Sequence, residues 1–325
     1  MEYLFQKLTE NIKNHSNIVL MTHKHPDLDG MGSAIALSKI IKSLKKESYI
    51  LFPKDQVNMS LEKGIQALKE KNIEINFKNY EEILKLIDEN TLLIVLDTQV
   101  PSIVENSELL TLIKDIFVID HHTTTANHIK NTIFEYINSS KSSVVEIITE
   151  YIKYLNKTLD PVIITLLSAG MEIDTRSYSL KTSENTFKMA GYLTKLGTDP
   201  ILKKEILKEN KADATKRHNY IKKSYYIKEG YLLCDMGDKE KNDPVELALL
   251  ADELLSFDGV EASFAVGKLN DGQTGVSARS MGQINVAEIM NKIGGGGHIT
   301  DAAAQFKNLK TKEIIKLIKK ALEEE

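Results

Sequence analysis

The chain has 325 residues, enough for two domains or one large one. Hydrophobic residues make up 42% and charged residues 27%, a globular balance, and a formal net charge of −4 argues against the broad basic surface that grips long nucleic acid. The single cysteine, Cys234, excludes an internal disulfide framework and a thiolate-built metal site, and reads as a small buried hydrophobe.

In chain order, Met1 to Asn17 mixes Lys and Glu with apolar positions, which predicts an amphipathic helix and not a signal peptide. No apolar run approaches the ~18 residues of a membrane helix, so a cytoplasmic protein without a membrane segment is expected. Ile18 to Met21 reads as a strand, Gly32 to Lys45 as a helix, and Tyr49 to Phe52 as a second strand. Leu61 to Glu70 follows as a helix, Ile73 to Phe77 as a weaker strand, and Tyr80 to Ile87 as another helix. Leu92 to Leu96 and Ile116 to Ile119 are apolar throughout, as strands buried on both faces are. This alternation predicts a Rossmann-like parallel sheet with helices on both sides. Helices then dominate: Ser142 to Leu155, Pro161 to Ile173, Ser183 to Leu196 and Pro200 to Lys208.

Residues 209–223, polar and poor in apolar positions, are read as a linker between a domain of residues 1–208 and a smaller α/β domain of residues 224–325. In that second domain Tyr231 to Leu233, Ala262 to Leu269 and Gly275 to Arg279 look like strands, with Asp271-Gly272 as a hairpin turn. Val245 to Leu255, Val286 to Ile293 and Thr311 to Leu322 look like helices.

Four clusters carry the chemistry. His23, Asp27, Asp29 and Gly30 follow the first strand; Asp97 follows Leu92 to Leu96; Asp120, His121 and His122 follow Ile116 to Ile119; Asp174 ends an apolar helix containing Ala169 and Gly170. Three of the four fall at the carboxyl ends of strands, where open parallel sheets bind ligands. An Asp after a strand reads equally as a helix N-cap, for Asp97 and Asp120 alike. Taken jointly, oxygen and imidazole donors without thiolate suit Mn²⁺, Fe²⁺ or Zn²⁺ better than Ca²⁺, while Mg²⁺ prefers mostly oxygen. Asp27, Asp29, Asp97 and Asp174 would gather four negative charges, which two divalent cations balance; such a pair, about 4 Å apart, clamps a phosphodiester.

Later, Gly294, Gly295, Gly296 and Gly297 precede His298. Four glycines cost backbone entropy, so they point to close backbone approach or an anion-binding nest, with a flexible hinge or C-cap turn as the plainer reading. Ile299-Thr300-Asp301 can cap a following helix. Arg279, at the end of a strand, is a candidate phosphate clamp or simply half of a surface ion pair.

The spacing of His23, Asp27, Asp29 and Gly30, the strand-end Asp97, the run Asp120-His121-His122 and the late Gly294 to His298 together resemble the DHH phosphoesterase superfamily with its C-terminal DHH-associated domain, over nearly the whole chain. Ala169 to Thr175, Ala251 to Leu255, Gly259 to Phe264 and Ser277 to Ser280 are similar to the catalytic region of bacterial cyclic-di-AMP phosphodiesterases. In membrane-bound members, transmembrane, PAS-like and degenerate GGDEF segments precede that region; these 325 residues hold no counterpart.

The resemblance implies one metal on His23, Asp27 and Asp97 and a second on Asp29, Asp97, His121 and Asp174. It implies His122 beside the scissile phosphate, Asp120 orienting the site, and Arg279, Gly294, Gly295, Gly296, Gly297 and His298 holding the rest of the nucleotide. The expected activity is two-metal, manganese-dependent hydrolysis of cyclic di-AMP to pApA, with further cutting to AMP left open. An oligoribonuclease that also dephosphorylates 3′-phosphoadenosine 5′-phosphate is the nearest alternative, a single-strand DNA exonuclease a more distant one, and a nucleotide-binding sensor the non-enzymatic one. The expected partner is a small nucleotide, not long nucleic acid. Oligomeric state stays open, a homodimer among the options.

Overall fold

The apolar runs Ile18–Met21, Leu92–Leu96 and Ile116–Ile119 lie side by side as the middle of one parallel sheet. The computed structural model describes residues 1–54, 57–124 and 126–323, and the chain divides into two units, Met1–Lys208 and Glu209–Glu325. The first unit runs α1 (Glu2–Asn14), β1 (Asn17–Met21), α2 (Leu28–Ser43), β2 (Glu47–Leu51), α3 (Met59–Glu70), β3 (Phe77–Lys78), α4 (Tyr80–Leu84), β4 (Thr91–Leu96), α5 (Leu109–Leu112), β5 (Asp115–Asp120), β6 (Phe134–Ile137), α6 (Val144–Tyr154), α7 (Pro161–Asp174), α8 (Glu184–Leu196) and α9 (Pro200–Leu207). Its strands pair in the order β3-β2-β1-β4-β5-β6, all parallel.

Alternation along the strands divides the core in two. Ile18, Leu20, Leu92, Ile94, Leu96, Phe117 and Ile119 pack with α1, α2, α6 and α7. Val19, Met21, Leu93, Val95, Ile116 and Val118 pack on the other face with Ile83, Val104 and Leu109. Every residue of β4 is buried, and each such Leu, Ile or Val contributes about 1.5–3 kcal/mol. Residues 28–38 of α2 and 162–171 of α7 are buried all round, so these two helices form the centre of that layer.

The second unit runs α10 (Lys211–Ile221), β7 (Tyr225–Lys228), β8 (Tyr231–Asn242), α11 (Pro244–Leu255), β9 (Ala262–Leu269), β10 (Thr274–Ser280), α12 (Val286–Lys292), β11 (Gly296–Gly297), β12 (Asp301–Phe306) and α13 (Thr311–Glu323). Its mixed sheet has the order β11-β12-β10-β9-β8-β7. Cys234 is fully buried in it, and burial pushes its thiol up to about 12.

Several expectations change. The segment read as a linker contains α10, capped by Asn210 and anchored by Tyr220 against Leu232, Cys234 and Leu247; one buried aromatic sufficed where apolar periodicity was lacking. Asp301 begins a strand, not a helix, because pairing with β10 from Arg279↔Asp301 to Thr274↔Phe306 overrides the helix propensity of the alanines. Of the strand expected at Ile73 to Phe77 only Phe77–Lys78 forms. Helix α2 starts at Leu28, earlier than Gly32, because Asp27 caps it. Among the described residues no helix is long and apolar enough to cross a membrane.

Candidate metal centre

The sheet order reverses direction between β1 and β4, the place where open parallel sheets leave a crevice. Three of the four acidic and histidine clusters arrive there on strand ends. After β1, His23 donates Nδ1–H to the Lys24 carbonyl at 2.7 Å, which leaves Nε2 3.3 Å from Asp97 Oδ2. Asp27 accepts the N–H groups of Asp29 and Gly30 through Oδ1, at 2.8 and 3.2 Å. That cap starts α2 and puts Asp29 in its first turn, fully buried. Asp29 in turn accepts Val144 N–H at 2.8 Å and Val145 N–H at 2.6 Å, the first amides of α6.

Asp97 follows β4 in the left-handed region at φ 64°, its N–H bonded to the Ile119 carbonyl. It caps no helix; Asp27 is the residue that does. A non-glycine residue is held at positive φ only where its surroundings fix it, at a cost of order 1–3 kcal/mol. The turn aims Asp97 Oδ1 at His121 Nε2, 3.4 Å away, and Oδ2 at His23. Gly30 makes room: a Cβ there would stand 3.2 Å from Asp97 Oδ2. Helix α7 delivers Asp174 from the other side, with Oδ2 3.1 Å from His121 Nε2.

Three groups of donor atoms result, each within 4.8 Å: His23, Asp27 and Asp97; Asp29, His121 and Asp174; and Asp97, His121 and His122. All six residues expected to hold metal are thus together. Among the described residues, Asp97 Oδ1 and both ring nitrogens of His121 are buried without a hydrogen bond of good geometry, although carboxylate oxygens stand close to Nε2. Leaving a buried polar atom unmatched costs about 1–3 kcal/mol, and a cation among these oxygens and nitrogens would satisfy Asp97 Oδ1 and His121 Nε2. The donor set therefore fits a divalent ion.

The charges agree. Burial, reinforced by Asp174 and Asp97, pushes Asp27 up to about 6; burial with Asp97 and Asp174 raises Asp29 well above the carboxylate range. Against its burial, contacts with His121 and His23 hold Asp97 far below that range. Against the cost of burial, Asp97 and then Asp27 carry His23 up to about 10, and Asp174 and Asp97 carry His121 up to about 12. Protons and a cation would therefore compete for the same donors.

Asp120 stands behind His122. Its Oδ1 accepts His122 Nδ1–H at 2.7 Å and the His122 N–H at 3.2 Å. Although Asp120 is buried, the bond to His122 keeps its carboxyl below the usual range. A carboxylate only accepts, so the His122 tautomer carries its proton on Nδ1; the imidazole, 43% exposed, is left with Nε2 for other contacts. Gln99, which the sequence did not single out, donates to Asp120 Oδ2 at 3.0 Å and steadies the pair. Glu146 was missed too, although Ser143-Val144-Val145-Glu146 has the capping-box spacing.

In the second unit, Arg279 donates Nε–H to Asp252 at 2.8 Å and lies 3.1 Å from Asp301, so two carboxylates hold it. Arg279, Gly296 and Gly297 line a cavity of about 270 Å³ with Ser277 and Asp301; Gly294, Gly295 and His298 are not in its lining. The Gly294 and Gly295 amides bond to the Asn291 and Met290 carbonyls and close α12, so they do not form the free nest expected of the run. The glycines answer to β12 instead: a Cβ on Gly295 or Gly297 would stand 2.4 Å from backbone there. His298 is exposed on the turn between β11 and β12, its N–H on the Asp301 carbonyl.

Residues 17–171 match the profile of the "DHH family, N-terminal domain" and residues 228–324 that of the "DHHA1 domain". The chain belongs to the DHH family. Among curated DHH relatives, the "Cyclic-di-AMP phosphodiesterase GdpP" of Geobacillus thermodenitrificans is 36% identical over 97% of this chain and 48% of its own. The protein of that name from Bacillus subtilis is 35% identical over 98% of this chain and 49% of its own. The chain thus spans about half the length of these relatives. A solved exopolyphosphatase-related protein from Bacteroides fragilis shares the fold, with a TM-score of 0.84 at 17% identity, over 100% of this chain and 96% of that one.

Proposed function

We propose that this DHH chain is a two-metal phosphodiesterase that opens cyclic di-AMP to pApA. The observation that carries the proposal is the pair of donor groups joined through Asp97: His23 and Asp27 on one side, Asp29, His121 and Asp174 on the other. In this reading Asp97 would serve both ions, and the mixture of imidazole and carboxylate would suit Mn²⁺. When bound, such ions neutralise the phosphate oxygens and make water a better nucleophile.

The chain's own residues do the rest. Asp27, Asp29 and His23 are oriented by the α2 cap, the α6 amides and the Lys24 carbonyl, so little reorganisation remains at reaction. Attack by water on phosphorus breaks the bond to one 3′ oxygen, which needs a proton to leave as hydroxyl. His122 Nε2 is proposed to contact the phosphate or deliver that proton, with the Asp120 carboxylate stabilising the imidazolium. In the second unit, the cavity beside Arg279, Gly296 and Gly297 is the proposed nucleotide-holding surface, with Gly294, Gly295 and His298 adjoining it. The two GdpP relatives, cyclic-di-AMP phosphodiesterases by name, support the cyclic dinucleotide. A cytoplasmic location is part of the same proposal.

Purified protein with Mn²⁺ should be offered cyclic di-AMP, cyclic di-GMP, pApA, pGpG and 3′-phosphoadenosine 5′-phosphate, and the products separated by chromatography. Cyclic di-AMP should be consumed fastest, with pApA accumulating before AMP: the product is flexible, and rebinding it must offset lost conformational freedom. Faster turnover of 3′-phosphoadenosine 5′-phosphate, or AMP rising from the start without pApA, would move the chain to the oligoribonuclease reading.

A further inference from the structure

We propose that Glu146 is a positioning residue for the metal centre, setting the orientation of Asp29 through the first turn of α6. The inference rests on the metal reading above.

Asp29 does not hold its own direction. Both of its oxygens are taken by α6 amides, Val144 N–H on Oδ2 and Val145 N–H on Oδ1. The plane of the carboxylate, and with it the lone pairs left for an ion, therefore follows the start of that helix. Coordination tolerates errors of only about 0.2 Å, so whatever fixes the start of α6 fixes the usefulness of Asp29.

Glu146 is what fixes it. Its N–H bonds the Ser143 hydroxyl at 3.1 Å, the N-cap of α6. Its carboxylate reaches back past the cap and accepts the Ser142 hydroxyl at 2.7 Å and the Ser142 N–H at 3.2 Å. The same Oε2 accepts Thr186 Oγ1–H at 2.8 Å, while Oε1 accepts Asn185 Nδ2–H at 2.7 Å and lies 3.2 Å from Lys141 Nζ. Asn185 and Thr186 belong to the first turn of α8. One carboxylate thus ties together the segment leading into α6, the helix itself and a neighbouring helix.

Stability alone does not call for this arrangement. The Glu146 side chain is 1% exposed. A charge buried that deeply costs several kcal/mol to desolvate, and replacing buried ion pairs by packed apolar side chains is often neutral or favourable. What a saturated polar network supplies, and an apolar contact does not, is a single direction for each group in it. Here that direction passes through the α6 amides to Asp29, whose Oδ2 lies 3.8 Å from His121 Nε2.

The test is Mn²⁺ titration by calorimetry, with melting of the metal-free protein followed in parallel. The parent chain should take two ions, and Asp29→Ala should abolish one class of binding, identifying the class that depends on Asp29. Glu146→Gln keeps the shape and removes the charge; it should weaken that same class by about 10–100-fold, as loss of partners behind metal ligands does, and leave the other class at parental affinity. Lower melting with both classes at parental affinity would reduce Glu146 to a structural role and overturn the inference. If Glu146→Gln does not fold, Ser142→Ala removes the 2.7 Å bond to Glu146, with a long 3.5 Å contact to the Ser143 hydroxyl, and should weaken the same class in smaller measure; unchanged affinity there also overturns it. A parent chain that binds no ion would defeat the metal reading itself, and this inference with it.

Discussion

Gly170 on α7 lies so near Leu28 on α2 that a methyl group at position 170 would stand 2.5 Å from the Leu28 carbonyl oxygen and 3.0 Å from the Asp29 amide. Asp174 is one helical turn further along the same face of α7. The missing side chain therefore sets how closely the helices carrying Asp29 and Asp174 approach. Gly170→Ala should force them apart, lower stability by about 1–3 kcal/mol and weaken Mn²⁺ binding, although no donor atom is removed. Thermal melting and metal titration read both effects; parental values for both would show that the helices have slack at this contact.

Asp97 should be the least replaceable residue of the centre. Asp97→Asn keeps a side chain that tolerates the left-handed backbone, so the fold should survive, but it offers each donor group a poorer ligand. A loss of more than ~100-fold in hydrolysis, with reduced metal content and an unchanged circular dichroism spectrum, is expected. Full metal occupancy with normal turnover would show that Asp97 bridges nothing.

Metal binding should release protons. In the metal-free chain Asp27 is pushed up to about 6, His23 up to about 10 and His121 up to about 12. Each must be deprotonated to ligate, so every one of these shifts makes binding tighter as pH rises. On the acid side, affinity should fall further as pH drops through about 6 and Asp27 takes up its proton. Calorimetry in buffers of different ionisation enthalpy measures the release directly. A proton count of zero at pH 7 would contradict the charge arrangement described above.

Arg279 should act on substrate and not on metal. Arg279→Ala should raise KM about tenfold, ~1.4 kcal/mol of binding, with metal content unchanged. It also leaves Asp252 and Asp301 without their shared cation, so some loss of stability is expected as well. Loss of metal with KM unchanged would remove Arg279 from the substrate side.

Asp97 and His121 were legible because they follow apolar runs, Leu92–Leu96 ending at Asp97 and Ile116–Ile119 leading into Asp120 and His121, while His23, Asp27 and Asp29 cluster in the loop after the strand that ends at Met21. Buried strands announce themselves by composition, and the exit from such a strand is a geometric position. What was illegible depends on pairing. Gln99 and Glu146 act through hydrogen bonds to residues brought near only by the fold. Strand β12 carries alanines whose local preference is helical, and only its register against β10 makes it a strand. The close backbone approach expected of the glycine run is present, but the backbone approached belongs to that unrecognised strand.

The spread of the donor residues along the chain has a mechanical meaning. An ion held jointly by Asp29, His121 and Asp174 would be a cross-link between the beginning, middle and end of the parallel-sheet unit, in a chain whose one cysteine rules out the covalent kind. Pinning a loop of about 145 residues removes on the order of 5 kcal/mol of chain entropy from the unfolded state, if the link survives unfolding as a disulfide does. A coordinated ion does not survive it, so its contribution comes through mass action and follows the free metal concentration. The fold would then be a reversible staple, tight where manganese is plentiful and loosened by any chelator that competes for it.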